Sequence, residues 1–169
     1  MCKLRYILPS SVLYTLYFSL IYPYLSYCLI VWGSASTSML HKLFMLQKRA
    51  IRIVARSHYV AASNPLFARL NMLKISDIYT FQVTMFVFKF LNFYNPISSS
   101  TYFTLNSVPA YVTRNSNVFV VPLFRTVIRE RSIVIAGPRI WNNLPMFIRC
   151  CPSLGSFKRR MMSHLISRY

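Results

Sequence analysis

Carboxylate side chains are scarce in this sequence, which limits the chemistry that the chain can perform. Its 169 residues include 2 acids, Asp77 and Glu130. Two-metal phosphoryl transfer needs several carboxylates around the ions, and acid/base catalysis by a carboxylate pair would need these two residues to meet. Nothing in the sequence suggests that they do. We therefore predict that the chain on its own is not an enzyme and holds no catalytic residue.

The cysteines do not form a recognisable metal motif. They are Cys2, Cys28, Cys150 and Cys151, without a Cys-x-x-Cys pair. Cys150, Cys151 and His164 together would supply three ligands, but adjacent cysteines cannot easily point at one tetrahedral metal. We therefore expect no metal or other cofactor in this chain, and reduced, mostly buried thiols.

Positive charge is the most unusual property of the sequence. The chain has 20 Lys and Arg residues against 2 acids, for a net charge of +18. A solvated surface normally mixes both signs. A protein this basic needs a polyanion nearby, either nucleic acid or an anionic membrane face. Because 55% of the residues are hydrophobic, the chain should also fold around a core. We favour RNA or DNA as the partner.

The strongest candidate site for that partner is a basic stripe between Met39 and Ser57. At about 100° per residue, one side of a helix there carries Leu40, Leu43, Phe44, Gln47, Ala50, Ile51 and Val54. The opposite side carries Lys42, Lys48, Arg49, Arg52 and Arg56. An ordinary surface helix usually has acids four positions from its cations, and this one has none. The pattern predicts an amphipathic helix, capped by Ser38, that grips phosphates.

Short β-rich runs are typical of the last third of the chain. Residues Asn117 to Phe124 and Ser132 to Ala136 predict a hairpin, with Pro122 restricting the first run to a sheet edge. The pair Gly137-Pro138 then predicts a turn. Ser153 is typical of the cap of a final amphipathic helix.

A second set of candidate nucleic-acid contacts lies in this last third. Its basic members are Arg125, Arg129, Arg131, Arg139, Lys158, Arg159 and Arg160. Trp141, beside Arg139 and two asparagines, is the best candidate for stacking on an unpaired base. A tryptophan next to a Gly-Pro turn is more often a core residue, so both roles stay open for Trp141.

A long uncharged stretch near the N-terminus raises the alternative of a small basic protein anchored in a membrane. Residues Val12 to Trp32 are enough to cross a bilayer, which takes roughly 20 apolar residues. Pro23 and many tyrosines inside the stretch favour a different interpretation. They indicate a helix that is interrupted near Pro23 and is covered on most sides by another part of a larger protein.

Together these patterns predict a mainly α protein with a small β-hairpin, an α+β arrangement in which the N-terminal two-thirds is helical. We predict a helical region at 1–96, a loop linker at 97–112, and the hairpin with a C-terminal helix at 113–169. A helix from Asp77 to Tyr94, apolar nearly all round, should lie in the core.

Several short motifs occur in a fixed order along the chain. The ordered set identifies a protein family more specifically than any single motif does. They are Ser19 to Cys28, Val31 to Gly33, Leu46 to Ile53, Pro65 to Phe67, Phe81 to Phe90, Thr113 to Asn115, Val121-Pro122, Arg125-Thr126, Gly137-Pro138, Trp141-Asn142, Leu144-Pro145, Ser153-Leu154 and Phe157-Lys158. This series, from Leu13 to Leu165, resembles the region downstream of the polymerase core in jockey-like non-LTR retrotransposons.

The resemblance implies a thumb-proximal, C-terminal fragment of an RNA-directed DNA polymerase. Family polymerases hold magnesium through an aromatic-x-Asp-Asp motif and another aspartate, which this chain lacks, so no catalytic residue carries over. The resemblance implies an accessory that grips template and primer, whether RNA or DNA, beside the palm and fingers of the same polyprotein. It also implies a nuclear or cytoplasmic ribonucleoprotein, although the sequence itself indicates no location. A non-functional transposon relic is the remaining alternative.

Overall fold

The structure is a computed structural model that describes residues 3–92, 102–106 and 119–169. Within these ranges the chain is mainly helical, which confirms the predicted class. Two short elements near the N-terminus are a 3₁₀ turn at Lys3–Tyr6 and a π-helical turn at Tyr17–Ile21. The α-helices are α1 Ser10–Leu16, α2 Tyr22–Ser26, α3 Leu29–Trp32, α4 Thr37–Val54, α5 Asn64–Arg69, α6 Ile75–Leu91, α7 Val127–Arg131, α8 Ile133–Asn142, α9 Met146–Arg149 and α10 Leu154–Ile166.

The contacts divide the chain into two compact units. The first unit comprises Met1–Tyr79 and Met162–Tyr169, and the second comprises Thr80–Met161. Helix α6 therefore begins in the first unit and ends in the second, and α10 does the reverse. The predicted segments 1–96, 97–112 and 113–169 stay a prediction, because most of the linker lies outside the described residues.

In the first unit, the uncharged N-terminal stretch forms consecutive short segments instead of one long helix. The π-helical turn separates α1 from α2, and Pro23 follows it by two residues. Proline has no N–H, and its ring displaces the carbonyl four positions earlier, so it kinks a helix. The predicted interruption near Pro23 is confirmed. Within the described ranges, no helix combines the length and the hydropathy that a bilayer crossing requires.

These N-terminal segments bury only part of their apolar surface. Leu13 and Tyr17 are at most 1% exposed. Other large apolar side chains of the same stretch face solvent, namely Leu20, Tyr24, Tyr27 and Val31. The expected cover by another part of a larger protein therefore stays a prediction. Exposed apolar surface of this kind is typical of contact with another protein surface.

The core of the first unit joins the N-terminal segments to α4 and α5. Its buried members are Leu13, Tyr17, Ala50, Ile51, Val54, Leu66, Phe67 and Met72. Gln47, predicted on the apolar side of α4, is 1% exposed. Its Nε2 donates to the hydroxyl of Tyr17 at 3.0 Å and to the carbonyl of Leu73 at 2.9 Å, and its Oε1 accepts from the N–H of Ile75 at 3.0 Å. A buried amide with these bonds fixes the position of α4.

The second unit is built around aromatic rings. Phe88 of α6 stacks on Phe157 of α10 with 4.5 Å between ring centroids, and Trp141 of α8 lies 5.7 Å from Phe157. Phe119 lies 6.5 Å from Trp141 and 5.4 Å from Phe103. Such pairs contribute about 0.5–1.5 kcal/mol each beyond the burial of their area. The rings therefore hold together segments that are distant in the sequence.

The predicted β-hairpin is wrong. Ile133 to Ala136 lie in α8, with Ser132 at its N-cap. Among the described residues the extended contact is a single bridge between Leu105 and Phe119, and Asn117 and Val118 lie outside those ranges. Ile135, Pro138 and Trp141 are buried in α8. Burial on a helical face has overridden the β preference of the Ile and Val residues.

The predicted turn at Gly137-Pro138 is also wrong, because both residues lie inside α8. A Cβ on Gly137 would come within 2.8 Å of the Phe103 ring. Glycine therefore lets the helix backbone approach that ring closely. The prediction for Ser153 is confirmed, since its hydroxyl accepts from the N–H of Ser156 at 3.3 Å at the start of α10.

Candidate nucleic-acid interface

Helix α4 separates its apolar residues from its basic residues as the sequence predicts. Gln47 and Ile51 are at most 1% exposed, while Lys42 and Arg49 are exposed. Because the buried side chains fix the rotation of the helix, the basic stripe has to face outward. The helix begins one residue before Ser38, which therefore lies in the first turn and does not cap it.

Two other cations of the stripe are held by neighbouring groups. The Lys48 Nζ lies 4.3 Å from the centre of the Phe44 ring, one turn earlier in α4. Arg52 is half-buried, and its Nε donates to the carbonyl of Ala61 at 2.9 Å. A guanidinium that is already fixed loses less conformational entropy when it binds a ligand. Arg52 is therefore preorganised for an anion.

Arginine side chains also gather at the C-terminal end of α4. Arg69 donates to the carbonyl of Ala55 at 3.1 Å, and Arg5 donates to the carbonyl of Arg56 at 3.1 Å. Arg56 has a φ of 53°, a left-handed conformation that often ends helices, and its own guanidinium donates to the carbonyl of Leu8. Cations stabilise the negative end of a helix dipole. These bonds bring Arg5 next to α4 and give Arg56 a structural role.

Arg5, Arg49 and Arg52 line one cavity of about 430 Å³. Its other lining residues are Tyr6, Ile53, Ser57 and Tyr59. No carboxylate is among them. In the part of the chain that the structure describes, neither the Arg49 guanidinium nor the Tyr59 hydroxyl has a hydrogen-bond or ion-pair partner. Uncompensated positive charge in a concave surface raises the local concentration of anions. The cavity is therefore suited to an anionic group.

The basic residues predicted as contacts in the second unit are spread over exposed positions. The exposed members are Arg125, Arg129, Arg131, Arg139, Lys158, Arg159 and Arg160. Arg129 and Arg131 lie in α7, which Thr126 caps by accepting from the N–H of Arg129 at 3.3 Å. Arg160 donates to the carbonyl of Phe147 at 2.8 Å. None of these seven side chains lines the cavity at α4.

Arg139 is partly neutralised. Its Nη1 lies 3.1 Å from Oε1 of Glu130, with both side chains about half exposed. Its guanidinium also lies 5.4 Å from the centre of the Phe124 ring. An exposed pair of this kind contributes about 0–1 kcal/mol to stability. Arg139 therefore offers less free positive charge than its neighbours.

Trp141 is a core residue. It is 1% exposed and packs against Phe88, Phe119 and Phe157. Its indole N–H has no hydrogen-bond partner among the described residues. Because the ring is buried, a base cannot stack on Trp141. The stacking role is therefore wrong. The alternative of a core residue is confirmed.

Comparison with protein-family models, curated proteins and solved structures finds no match to this chain.

Both acids have side-chain partners within the chain. The Tyr169 hydroxyl donates to Oδ2 of Asp77 at 2.6 Å and accepts from the N–H of Lys74 at 3.0 Å. The Lys74 Nζ lies 3.9 Å from the centre of the same ring. Burial, and then the hydrogen bond to Asp77, raise the pKa of Tyr169 far above its usual range. Glu130 has Arg139 as its partner. Neither carboxylate lines the cavity at α4.

The cysteines that the structure describes are free thiols. Cys151 is buried, whereas Cys28 and Cys150 are exposed. The expectation of mostly buried thiols is therefore wrong for these three residues, and Cys2 lies outside the described ranges. Residues 3–92, 102–106 and 119–169 contain no group of three or more His, Cys, Asp or Glu side chains that could hold a metal ion.

The sequence did not point to Arg5, Tyr6 and Tyr59 as members of the site. Arg5 and Tyr6 lie more than 40 positions before Arg49, and Tyr59 lies in the loop after α4. The sequence feature that could have indicated them is a basic residue followed by a tyrosine, which occurs at Arg5-Tyr6 and again at His58-Tyr59. Such pairs are common in basic proteins, so the fold was needed to identify them.

Proposed function

We propose that this chain binds nucleic acid through the phosphate backbone. In this proposal it is the C-terminal accessory part of a non-LTR retrotransposon RNA-directed DNA polymerase, and it grips template or primer. The observation that carries the binding proposal is the convergence of Arg5, Arg49 and Arg52 on one cavity without a carboxylate. Lys and Arg that neutralise phosphates release condensed counterions, which gives affinity with little sequence information.

The outward face of α4 supports contact with more than one phosphate. Lys42 is exposed at one end of the stripe, and Arg49 and Arg52 line the cavity near the other. From Lys42 to Arg52 the helix rises about 15 Å, at about 1.5 Å per residue. A strand that follows this face would place several phosphates near cations. The exposed cations of the second unit then add attraction of a less directed kind.

The proposed role does not include catalysis by this chain. Asp77 and Glu130 hold Tyr169 and Arg139, and the magnesium chemistry of the polymerase would belong to the palm of the same polyprotein. That palm and the fingers are the proposed protein partners. The exposed apolar side chains of the N-terminal segments, such as Leu20 and Tyr24, support a surface that packs against them. A ribonucleoprotein location in nucleus or cytoplasm follows from the same proposal.

The proposal is tested by the salt dependence of binding. Fluorescence anisotropy of a labelled single-stranded RNA, measured from about 50 mM to about 200 mM salt, should show an affinity loss of roughly 50-fold if about four phosphates are neutralised. An affinity that stays flat over this range, or no binding at the lowest salt, would contradict phosphate gripping.

A further inference from the structure

We propose that the cavity at α4 accepts one unpaired nucleotide of a single strand, with its phosphate on Arg49 and Arg52 and its base on the ring of Tyr59. This inference rests on the proposed function and names the ligand of the same site. It predicts that the chain prefers single strands over duplexes, because a paired base cannot enter the cavity.

The dimensions of the cavity support a ligand of nucleotide size. Its volume of about 430 Å³ lies in the range of roughly 300–1,000 Å³ that small-molecule pockets occupy. A phosphate group alone would leave most of that volume unfilled. The lining residues include three arginines, two tyrosines and the apolar Ile53. This combination matches a ligand with one anionic end and one flat, largely apolar end.

The arginines are placed to take the anionic end. Arg49 and Arg52 are three positions apart in α4, so they lie on the same face of the helix. Arg52 is fixed by its bond to the carbonyl of Ala61, and Arg5 is fixed by its bond to the carbonyl of Arg56. A planar guanidinium can bind two oxygens of one phosphate. Fixed and free arginines around one cavity therefore favour a phosphate at a defined position.

Tyr59 is the better of the two platforms for a base. Tyr6 is 85% exposed, but the Arg5 guanidinium lies over its ring at 6.0 Å from the centroid. Tyr59 is 70% exposed, and no ring or cation contacts it among the described residues. A base that stacks on an aromatic ring gains roughly 1–3 kcal/mol, and this gain tolerates any base identity. An open ring beside a phosphate site is thus suited to an unpaired nucleotide.

The test compares three probes of equal length: oligothymidylate, the same sugar-phosphate chain without bases, and a duplex. We expect oligothymidylate to bind the full chain roughly five-fold or more tightly than either other probe, as one stacked base requires. Tyr59→Ala should weaken binding of oligothymidylate more than binding of the abasic chain, and so remove that advantage. Tyr59→Phe, which keeps the ring, should retain the advantage.

A matched control variant is Tyr27→Ala, because Tyr27 is 76% exposed and does not line the cavity. It should bind all three probes as the unaltered chain does. If oligothymidylate and the abasic chain bind equally and with the same salt dependence, the nucleotide site is refuted while phosphate gripping stands. If none of the probes binds in dilute salt, the proposed function fails together with the inference.

Discussion

The first and second units place their arginines and aromatic rings in different ways. In the first unit, Arg5 and Arg52 bind backbone carbonyls and line a cavity, which the exposed residues Tyr6 and Tyr59 also line. In the second unit, rings such as that of Trp141 form the core, and the arginines lie dispersed on the surface. The same residue types therefore build a preorganised site in one unit and a core with a diffuse basic surface in the other.

This difference shows why net charge alone does not locate a binding site. A dispersed cation attracts a polyanion from a distance, but it has to lose conformational freedom on contact. A guanidinium that a carbonyl already holds has lost most of that freedom on folding. We therefore expect the first unit to dominate affinity and the second unit to add a weaker, less directed attraction.

The largest effect is expected where the aromatic core of the second unit is truncated. Trp141→Ala should lower the free energy of unfolding by about 3–5 kcal/mol, as large-to-small changes of buried aromatic residues do. Urea denaturation followed by circular dichroism measures it. Leu123→Ala is the control, because Leu123 is 97% exposed, and it should change stability by less than about 1 kcal/mol. A neutral Trp141→Ala would mean that the ring is not in the core.

The first unit should be weakened by a smaller amount through its buried amide. Gln47→Leu leaves the Tyr17 hydroxyl, the Leu73 carbonyl and the Ile75 N–H without their partner. We expect a loss of about 2–3 kcal/mol, because buried polar groups that lose their bonds keep the cost of desolvation. Tyr17→Phe removes one of the three bonds and should cost about 1 kcal/mol. A Gln47→Leu variant as stable as the parent would contradict this account of α4.

A third effect is the pH dependence of stability that Tyr169 causes. Burial and the bond to Asp77 raise the pKa of Tyr169 in the folded state, so the neutral phenol stabilises the fold. That contribution is complete below the unfolded pKa of about 10 and is lost as pH rises above it. Thermal melts from neutral to strongly alkaline pH should show a smaller alkaline loss for Tyr169→Phe, which itself costs about 1 kcal/mol at neutral pH. If both proteins lose the same stability at alkaline pH, Tyr169 does not supply the pH-dependent contribution.

The sequence predicted long periodic elements well. The separation of basic and apolar residues in α4 follows from about five turns of regular spacing, and Gln47 was placed on the correct side. The hairpin prediction was wrong because Ile133 to Ile135 have a local β preference, whereas the burial of Trp141 in α8 depends on the rings of Phe88, Phe119 and Phe157 elsewhere in the chain. The cavity at α4 was predicted only in part. Arg5 reaches it through a bond to Arg56, and no local pattern reports a contact between residues 51 positions apart.

The central claim, that arginines of the first unit hold the nucleic acid, is tested most directly by two variants with the same change in net charge. One is Arg49→Gln with Arg52→Gln, and the other is Arg129→Gln with Arg131→Gln. With single-stranded RNA at fixed salt, the first pair should weaken binding roughly ten-fold or more, because charge-assisted hydrogen bonds contribute about 1.5–3 kcal/mol each. The second pair should weaken it by less than about three-fold, since its side chains act at longer range. Equal losses, or a greater loss from the second pair, would contradict the account.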